Sequence, residues 1–297
     1  METVAGLVAQ WEASGERIPV GDHEVWCRLV PAATPSDRAP LLVLHGFPTC
    51  SFDWRLVLPD LAAERDVVLV DCLGFGLSDK PDVRYGLRLY ADGAEAAVAH
   101  FGIGHVDLLT HDVGDSVGGE LLARSLEGRL GFTIGHRVVT NGSIYMDLVQ
   151  LTIGQQLLLG LPDAVEEAVG ADGGTGFRAG VVGTFAPGAD VDDVELDGLV
   201  ALAARDGGLA LLPRTIRYIE DRRAEEERFT GAIERHPSPV DVVWGRLDPV
   251  AVHEMAERLV TRREGARLVT LEGVGHYPML EAPERFSTAV LGFLSAP

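Results

Sequence analysis

Apolar residues in this chain fall into short uninterrupted runs separated by stretches of helical period. Residues 41–44, 67–70, 106–109, 138–140, 240–244 and 268–271 read as buried strands, and 23–31 alternates well enough to be another. The Ala/Thr/Pro/Ser/Asp run at 32–40 reads as a surface connection. Helical spacing runs through Trp54, Leu58 and Leu61, over residues 90–101, through Val117, Leu121, Leu122 and Leu126, and over 252–260 and 283–294. Strands alternating with helices predict a mostly parallel sheet covered on both faces. The rhythm breaks once. Residues 143–236 are helical in pattern, with glycine-rich joints at 170–176 and 207–208 and no convincing strand. An insertion so placed predicts a cap over the carboxyl ends of the strands, where such sheets bind ligands. The expected division is a core of residues 1–142 and 237–297 with a helical cap of residues 143–236. Within the cap, the Arg/Glu run at 222–228 reads as a solvated helix face.

Composition narrows the function classes. A chain of 297 residues, 46% hydrophobic and 24% charged, suits one large α/β domain with an insertion, or two small domains. A net charge of −20 argues against nucleic-acid or anionic-membrane partners, which need basic patches. No apolar run reaches transmembrane length, and residues 1–11 carry no basic n-region, so the expectation is a cytoplasmic protein. Cys27, Cys50 and Cys72 have no metal spacing and are expected to be reduced and buried.

The most informative stretch is V-D-L-L-T-H-D-V-G-D-S-V-G-G-E at 106–120, an apolar strand, a turn and the start of a helix. That is the setting of a nucleophile elbow, where small flanking residues let the chain turn sharply around a strained central one. With Thr110 and Gly114 as the flanks, Asp112 is the nucleophile. Gly114-Asp115-Ser116-Val117-Gly118 literally matches G-x-S-x-G, the serine-hydrolase signature. Ser116 lies too far past the strand, one turn inside a helix starting near Val113, so Asp112 is preferred. Asp115, near the same helix start, reads as a complement to the helix dipole.

Two later loops belong with Asp112. Trp244-Gly245-Arg246-Leu247-Asp248-Pro249 offers Asp248 after a strand, and Gly273-Val274-Gly275-His276-Tyr277-Pro278 offers His276 after the last one. Nucleophile, acid and histidine thus occur in the order this triad takes in a sheet of this kind.

Together with His45-Gly46-Phe47-Pro48-Thr49 and D-C-L-G-F-G-L-S-D-K-P at 71–81, these motifs resemble the α/β-hydrolase family. Specifically, they resemble its aspartate-nucleophile branch of epoxide hydrolases and haloalkane dehalogenases. Residues 111–115, Asn141-Gly142 and Leu247-Asp248-Pro249 look most like the mesoderm-specific transcript proteins. The resemblance implies an α/β-hydrolase fold with a helical cap inserted after the sixth strand, and no metal or organic cofactor. A carboxylate is already charged at neutral pH and can displace a leaving group at saturated carbon, giving an alkyl-enzyme ester. His276, oriented by Asp248, then activates water against that ester. Backbone N–H groups of Phe47 and Val113 are expected to form the oxyanion hole.

The leaving group divides the branch. Dehalogenases clamp the halide with a Trp after the nucleophile, plus an Asn in the HG loop or a Trp in the cap. Here Val113 follows Asp112, Phe47 follows Gly46, and Trp11, Trp26, Trp54 and Trp244 all lie outside the cap. Epoxide opening needs an acid, which the branch takes from cap tyrosines. Tyr218 falls where one is expected, and Tyr145 is the other tyrosine of the insertion. The leading expectation is an epoxide hydrolase with catalytic Asp112, Asp248, His276, Tyr218 and Tyr145. Substrate contacts are expected from His45, Phe47, His111, Tyr145 and Tyr218. Apolar cap residues such as Leu148, Leu151, Leu157 and Leu158 suggest a small hydrophobic substrate. A dehalogenase, an ester or lactone hydrolase, and a non-catalytic binding member of the fold are the alternatives. A homodimer is left open.

Overall fold

The strands are β1 (Glu16–Val20), β2 (His23–Val30), β3 (Leu41–Leu44), β4 (Val67–Val70), β5 (His105–His111), β6 (Thr133–Thr140), β7 (Val240–Gly245) and β8 (Leu268–Leu271). They form one sheet in the order β1-β2-β4-β3-β5-β6-β7-β8. β1 and β2 make a hairpin, β2 meets β4 antiparallel, and every pairing from β4 to β8 is parallel. The computed structural model describes residues 3–295, so Met1, Glu2, Ala296 and Pro297, the ends of the expected core, lie outside it. β3 and β4, L-L-V-L and V-V-L-V, are buried at every position, as strands covered by helices on both faces must be. This is the α/β-hydrolase fold.

The departures from the sequence pattern have local causes. β1 was not expected: it is short, carries Pro19 and buries only Ile18 at the sheet edge. β5 continues two residues past its apolar run, through Thr110 and His111, both buried. The helix expected through Trp54, Leu58 and Leu61 is instead a 3₁₀ turn, Ser51–Trp54, and a single helical turn, Leu58–Leu61, with Pro59 in it. The three cysteines are free and buried, as expected. No helix among the described residues is long and apolar enough to cross a membrane.

Between β6 and β7 the described residues form helices and no strand. The last two, Tyr218–Ala224 and Glu226–Arg235, correct the reading of residues 222–228 as a solvated face. Arg223 and Glu227 are exposed, but Arg222 is buried and Arg228 reaches the helix Val113–Leu126 of the core. There Glu120, fully buried, accepts from Arg228 Nε at 2.6 Å and Nη2 at 3.1 Å, and from Arg124 Nε at 3.0 Å. A charge run is solvated only if nothing packs on it, and here a carboxylate in the partner helix turns it inward. Burial works against the Glu120 charge, but the hydrogen bonds and charges of Arg228 and Arg124 outweigh it and hold the carboxyl below its usual range.

Glu120→Gln removes the buried carboxylate of this network while Arg124 keeps Glu95 and Asp92 and Arg228 keeps Glu127, and it lowers stability by about 1–3 kcal/mol in denaturant melts at neutral pH. Because the folded-state carboxyl titrates below the unfolded one, the contribution is complete above the unfolded value and is lost as pH falls through the folded value. The gap between wild type and variant therefore closes on acidification, and a gap independent of pH contradicts this role.

Candidate active site

β5 ends at His111 and a helix begins at Val113, leaving Asp112 alone in the turn. Its φ of 48° and ψ of −112° lie outside the regions favoured by side-chain-bearing residues, a strain of about 1–3 kcal/mol. Two glycines make the turn possible. A Cβ on Gly114 would sit 2.6 Å from the Leu44 carbonyl oxygen, and one on Gly46 would sit 2.7 Å from His111 Nδ1 and 2.9 Å from Asp112 Cβ. Without those side chains the loop after β3 lies against the turn, and the Phe47 N–H donates to Asp112 Oδ2 at 2.8 Å. Val113 opens the helix, so its N–H belongs to the first turn, whose donors have no intrahelical acceptor. Ser116 is inside that helix, buried, and its Oγ accepts from Arg222 Nε at 2.9 Å. The turn's apex is therefore Asp112. Asp115 departs from its expected role. It is buried, takes the Thr110 hydroxyl on one oxygen and has no partner for the other. It stands in the helix's first turn, and burial, with the nearby Asp112 charge, pushes its carboxyl well above the usual range.

Asp248 and His276 meet at the ends of β7 and β8, His276 Nδ1 donating to Asp248 Oδ2 at 2.8 Å. Asp248 Oδ1 accepts from the Val250 and Ala251 N–H groups at 2.7 and 2.9 Å, and Oδ2 accepts from Asn141 Nδ2 at 2.7 Å. Burial disfavours the His276 cation, but the Asp248 carboxylate, by charge and hydrogen bond, and then Asp112 raise its pKa to about 9. With Nδ1 on Asp248, Nε2 is the nitrogen left for chemistry.

The chain has five tyrosines. Tyr85, Tyr90 and Tyr277 donate to backbone carbonyls, and Tyr145 donates to Glu234 Oε1 at 2.8 Å. Tyr218 alone has no hydroxyl partner among the described residues. Its ring centroid is 5.7 Å from that of Phe47, and burial together with the Asp112 charge pushes its phenol up. Tyr145 is not brought to Asp112. Its hydroxyl is taken by Glu234, and its ring is covered by Arg258 at 4.8 Å, because β6 delivers it to the helix Glu226–Arg235 rather than into the cavity.

Two expected substrate contacts are structural instead. His45 is fully buried, with Nδ1 donating to the Gly46 carbonyl and Nε2 accepting the Cys72 N–H at 3.0 Å; it ties the loop after β3 to the loop after β4. His111 donates from Nε2 to the His276 carbonyl at 2.8 Å, and burial, then the His276 charge, keeps its pKa well below 6.5. It supports the histidine loop from below. Sequence reasoning missed three residues with roles here. Asn141 holds Asp248 and accepts the Gly245 N–H, and its φ of 48° was signalled only by the Asn141-Gly142 pair. Glu281 accepts the N–H groups of Gly275, Tyr277 and the insertion's Ala186, and no local pattern announces it. Tyr277 walls the site between His111, His276 and Phe185.

Above these residues lies a cavity of about 320 Å³. The core supplies Phe47, Val250, His276 and Tyr277, and the insertion supplies a mostly apolar lining that includes Leu158, Phe177 and Leu212. No lysine or arginine lines it. Among the described residues no group of three or more His, Cys, Asp or Glu side chains is placed to hold a metal ion.

Residues 41–289 match the profile of the alpha/beta hydrolase family. LipZ of Mycobacterium tuberculosis, named as a hydrolase, is 37% identical over 97% of this chain and 98% of its own. The human mesoderm-specific transcript homolog protein is 30% identical over 86% of this chain and 78% of its own. A haloalkane dehalogenase, a DbeA loop variant from Bradyrhizobium elkanii, superposes with a TM-score of 0.74 at 21% identity, covering 95% of this chain and 96% of that one. At that identity the dehalogenase speaks for the fold alone. The motifs, the sheet and these relatives agree, and the chain belongs to the alpha/beta hydrolase family.

Proposed function

We propose that this chain is an epoxide hydrolase that works through an ester on Asp112, with residues 143–236 as its cap. The observation that carries the reading is the Tyr218 hydroxyl, without a partner among the described residues, on a buried ring that packs against Phe47 and feels the Asp112 charge, in a site with no halide clamp. Trp26 and Trp244 give their indole N–H groups to backbone carbonyls, and none of the four tryptophans lines the cavity. The mostly apolar lining, with no lysine or arginine in it, favours a hydrophobic substrate.

In the first step Asp112 Oδ1 attacks an epoxide carbon, the C–O bond of the ring breaks, and the alkoxide takes the Tyr218 proton. Oδ2 already sits 2.8 Å from the Phe47 N–H, so the atom that becomes the oxyanion in the second step starts in its donor site. Esterification removes the Asp112 charge, one of the groups that raise the His276 pKa. His276 then loses its proton more readily and can activate water against the ester carbonyl. The proton released on hydrolysis returns the Tyr218 phenolate to the phenol, closing the cycle.

Three outcomes test the reading. His276→Gln incubated with a panel of epoxides, haloalkanes and esters should accumulate an adduct on the Asp112 peptide with the mass of the whole epoxide. An alkyl-only adduct with halide released would make the protein a dehalogenase instead, and an adduct on Ser116 would move the nucleophile. Tyr218→Phe should slow adduct formation by about 10²–10⁴-fold while leaving hydrolysis of a preformed ester nearly unchanged. Tyr145→Phe should leave both steps intact, and equal losses in the two variants contradict the assignment. By NMR, His276 should titrate near 9 in the wild type and lower in Asp112→Asn, which removes one of the charges holding its proton. An unchanged value would mean the two groups are not coupled. Because the folded pKa is the higher one, the stability that His276 contributes is complete below its unfolded value and is lost as pH rises through about 9.

A further inference from the structure

Arg222 is out of place for an arginine. It is 1% exposed, yet no carboxylate lies within ion-pair distance of it among the described residues. Its Nε donates to Ser116 Oγ at 2.9 Å, while Nη2 is buried with no partner. The contrast with Arg137, equally buried at 1% exposure, is instructive. Arg137 spends both terminal nitrogens on the carbonyls of Ile233, His236 and Ser238. A guanidinium does not lose its proton in a protein, so Arg222 carries a buried positive charge that nothing within ion-pair distance neutralises.

What that charge faces is specific. Arg222 stands one helical turn after Tyr218, and its guanidinium carbon lies 5.1 Å from the centre of the Tyr218 ring. The hydrogen bond to Ser116 fixes it to the helix that begins at Val113. Two acids share this neighbourhood. Asp112 is the proposed nucleophile. Asp115 makes no ion pair with Arg222, and burial and the Asp112 charge push its carboxyl well above the usual range, so the cation's field remains available.

We infer that Arg222 is a positioning residue for the proposed reaction: its unneutralised guanidinium, pinned by Ser116, stabilises the phenolate left on Tyr218 when that hydroxyl protonates the departing alkoxide. The inference rests on the epoxide hydrolase reading. It also accounts for the flow of charge. Before attack, the negative charge is on Asp112, which opposes ionisation of Tyr218. Once the Asp112–carbon bond has formed and the ring C–O bond has broken, Asp112 is a neutral ester and Tyr218 carries the negative charge. The charge has moved to the residue that faces Arg222. When water hydrolyses the ester, the proton it yields is carried by His276 and returns Tyr218 to the phenol, so no co-reactant is required.

The test reads the phenol directly and needs no turnover. With Tyr218→trifluorotyrosine, the side chain ionises in an accessible pH range and can be followed by ¹⁹F NMR. Adding Arg222→Met should raise its pKa by about one to two units, as expected for removing a unit charge at this distance. Arg222→Lys, which keeps the charge but not the planar fork, should recover part of the shift. Ser116→Ala, which frees the guanidinium without removing it, should give a smaller rise than Arg222→Met. An unchanged pKa in Arg222→Met, with the variant folded by circular dichroism, would overturn the inference and leave Arg222 as a strut between insertion and core. In single-turnover reactions of His276→Gln with an epoxide, Arg222→Met should slow adduct formation at least tenfold with little change in saturation. That loss should vanish in a Tyr218→Phe background, and a loss of the same size there would overturn the inference. A raised phenol pKa with no adduct from any epoxide would overturn the proposed reaction while upholding the tie between Arg222 and Tyr218.

Discussion

Everything in this site follows from one close approach: the turn at Asp112 pressed against the loop after β3. Two absent side chains, at Gly46 and Gly114, let backbone meet backbone there, and the strained Asp112 conformation is the result. The same approach sets the Phe47 N–H on Asp112 Oδ2 and directs Oδ1 elsewhere. It also buries His111 and His45 beneath the surface, where their ring nitrogens serve the loops rather than a ligand. Strain of this kind survives only where the surroundings over-determine the conformation. Here β5 on one side and the helix from Val113 on the other do so.

Around that turn, burial sorts chemically similar groups into different states. Asp248 meets three N–H donors besides His276. Asp115, in the first turn of the elbow helix, has one hydroxyl donor and a bare oxygen, and burial pushes its carboxyl well above the usual range. Glu120, also buried, is charged because arginines surround it: Arg124, Arg228 and, at 3.5 Å, Arg129. The identity of the side chain says little about its charge; the number of donors it meets after folding decides it.

Polar contacts tie the insertion to the core. Arg228 on Glu120, Arg222 on Ser116 and Ala186 on Glu281 each join a residue of the insertion to the elbow helix or to the histidine loop. The cavity between is mostly apolar, with His276 at its floor. Interactions inside such a space are strengthened by the exclusion of water, which favours the proposed displacement by a carboxylate and makes a single buried cation effective over several ångströms.

The sequence by itself determined the sheet's interior, the alternation of its inner strands with helices, and the three loops that carry Asp112, Asp248 and His276. These are local signals: four-residue apolar runs that must be buried on both faces, glycines at sharp turns, and breakers at strand ends. The fate of polar side chains was another matter. Residues 222–228 look like a solvated face in sequence, and Tyr145 looks as available as Tyr218. Only packing against the elbow helix turned Arg222 and Arg228 inward, and only the path of the chain after β6 gave the Tyr145 hydroxyl to Glu234. His45 and His111 were misjudged for the same reason, since whether an imidazole meets a ligand or a backbone carbonyl depends on what folds over it. Periodicity reports which side of an element faces the interior. Which partner waits there is decided by contacts between residues about a hundred positions apart, such as Arg222 with Ser116, and those exist only in the tertiary structure.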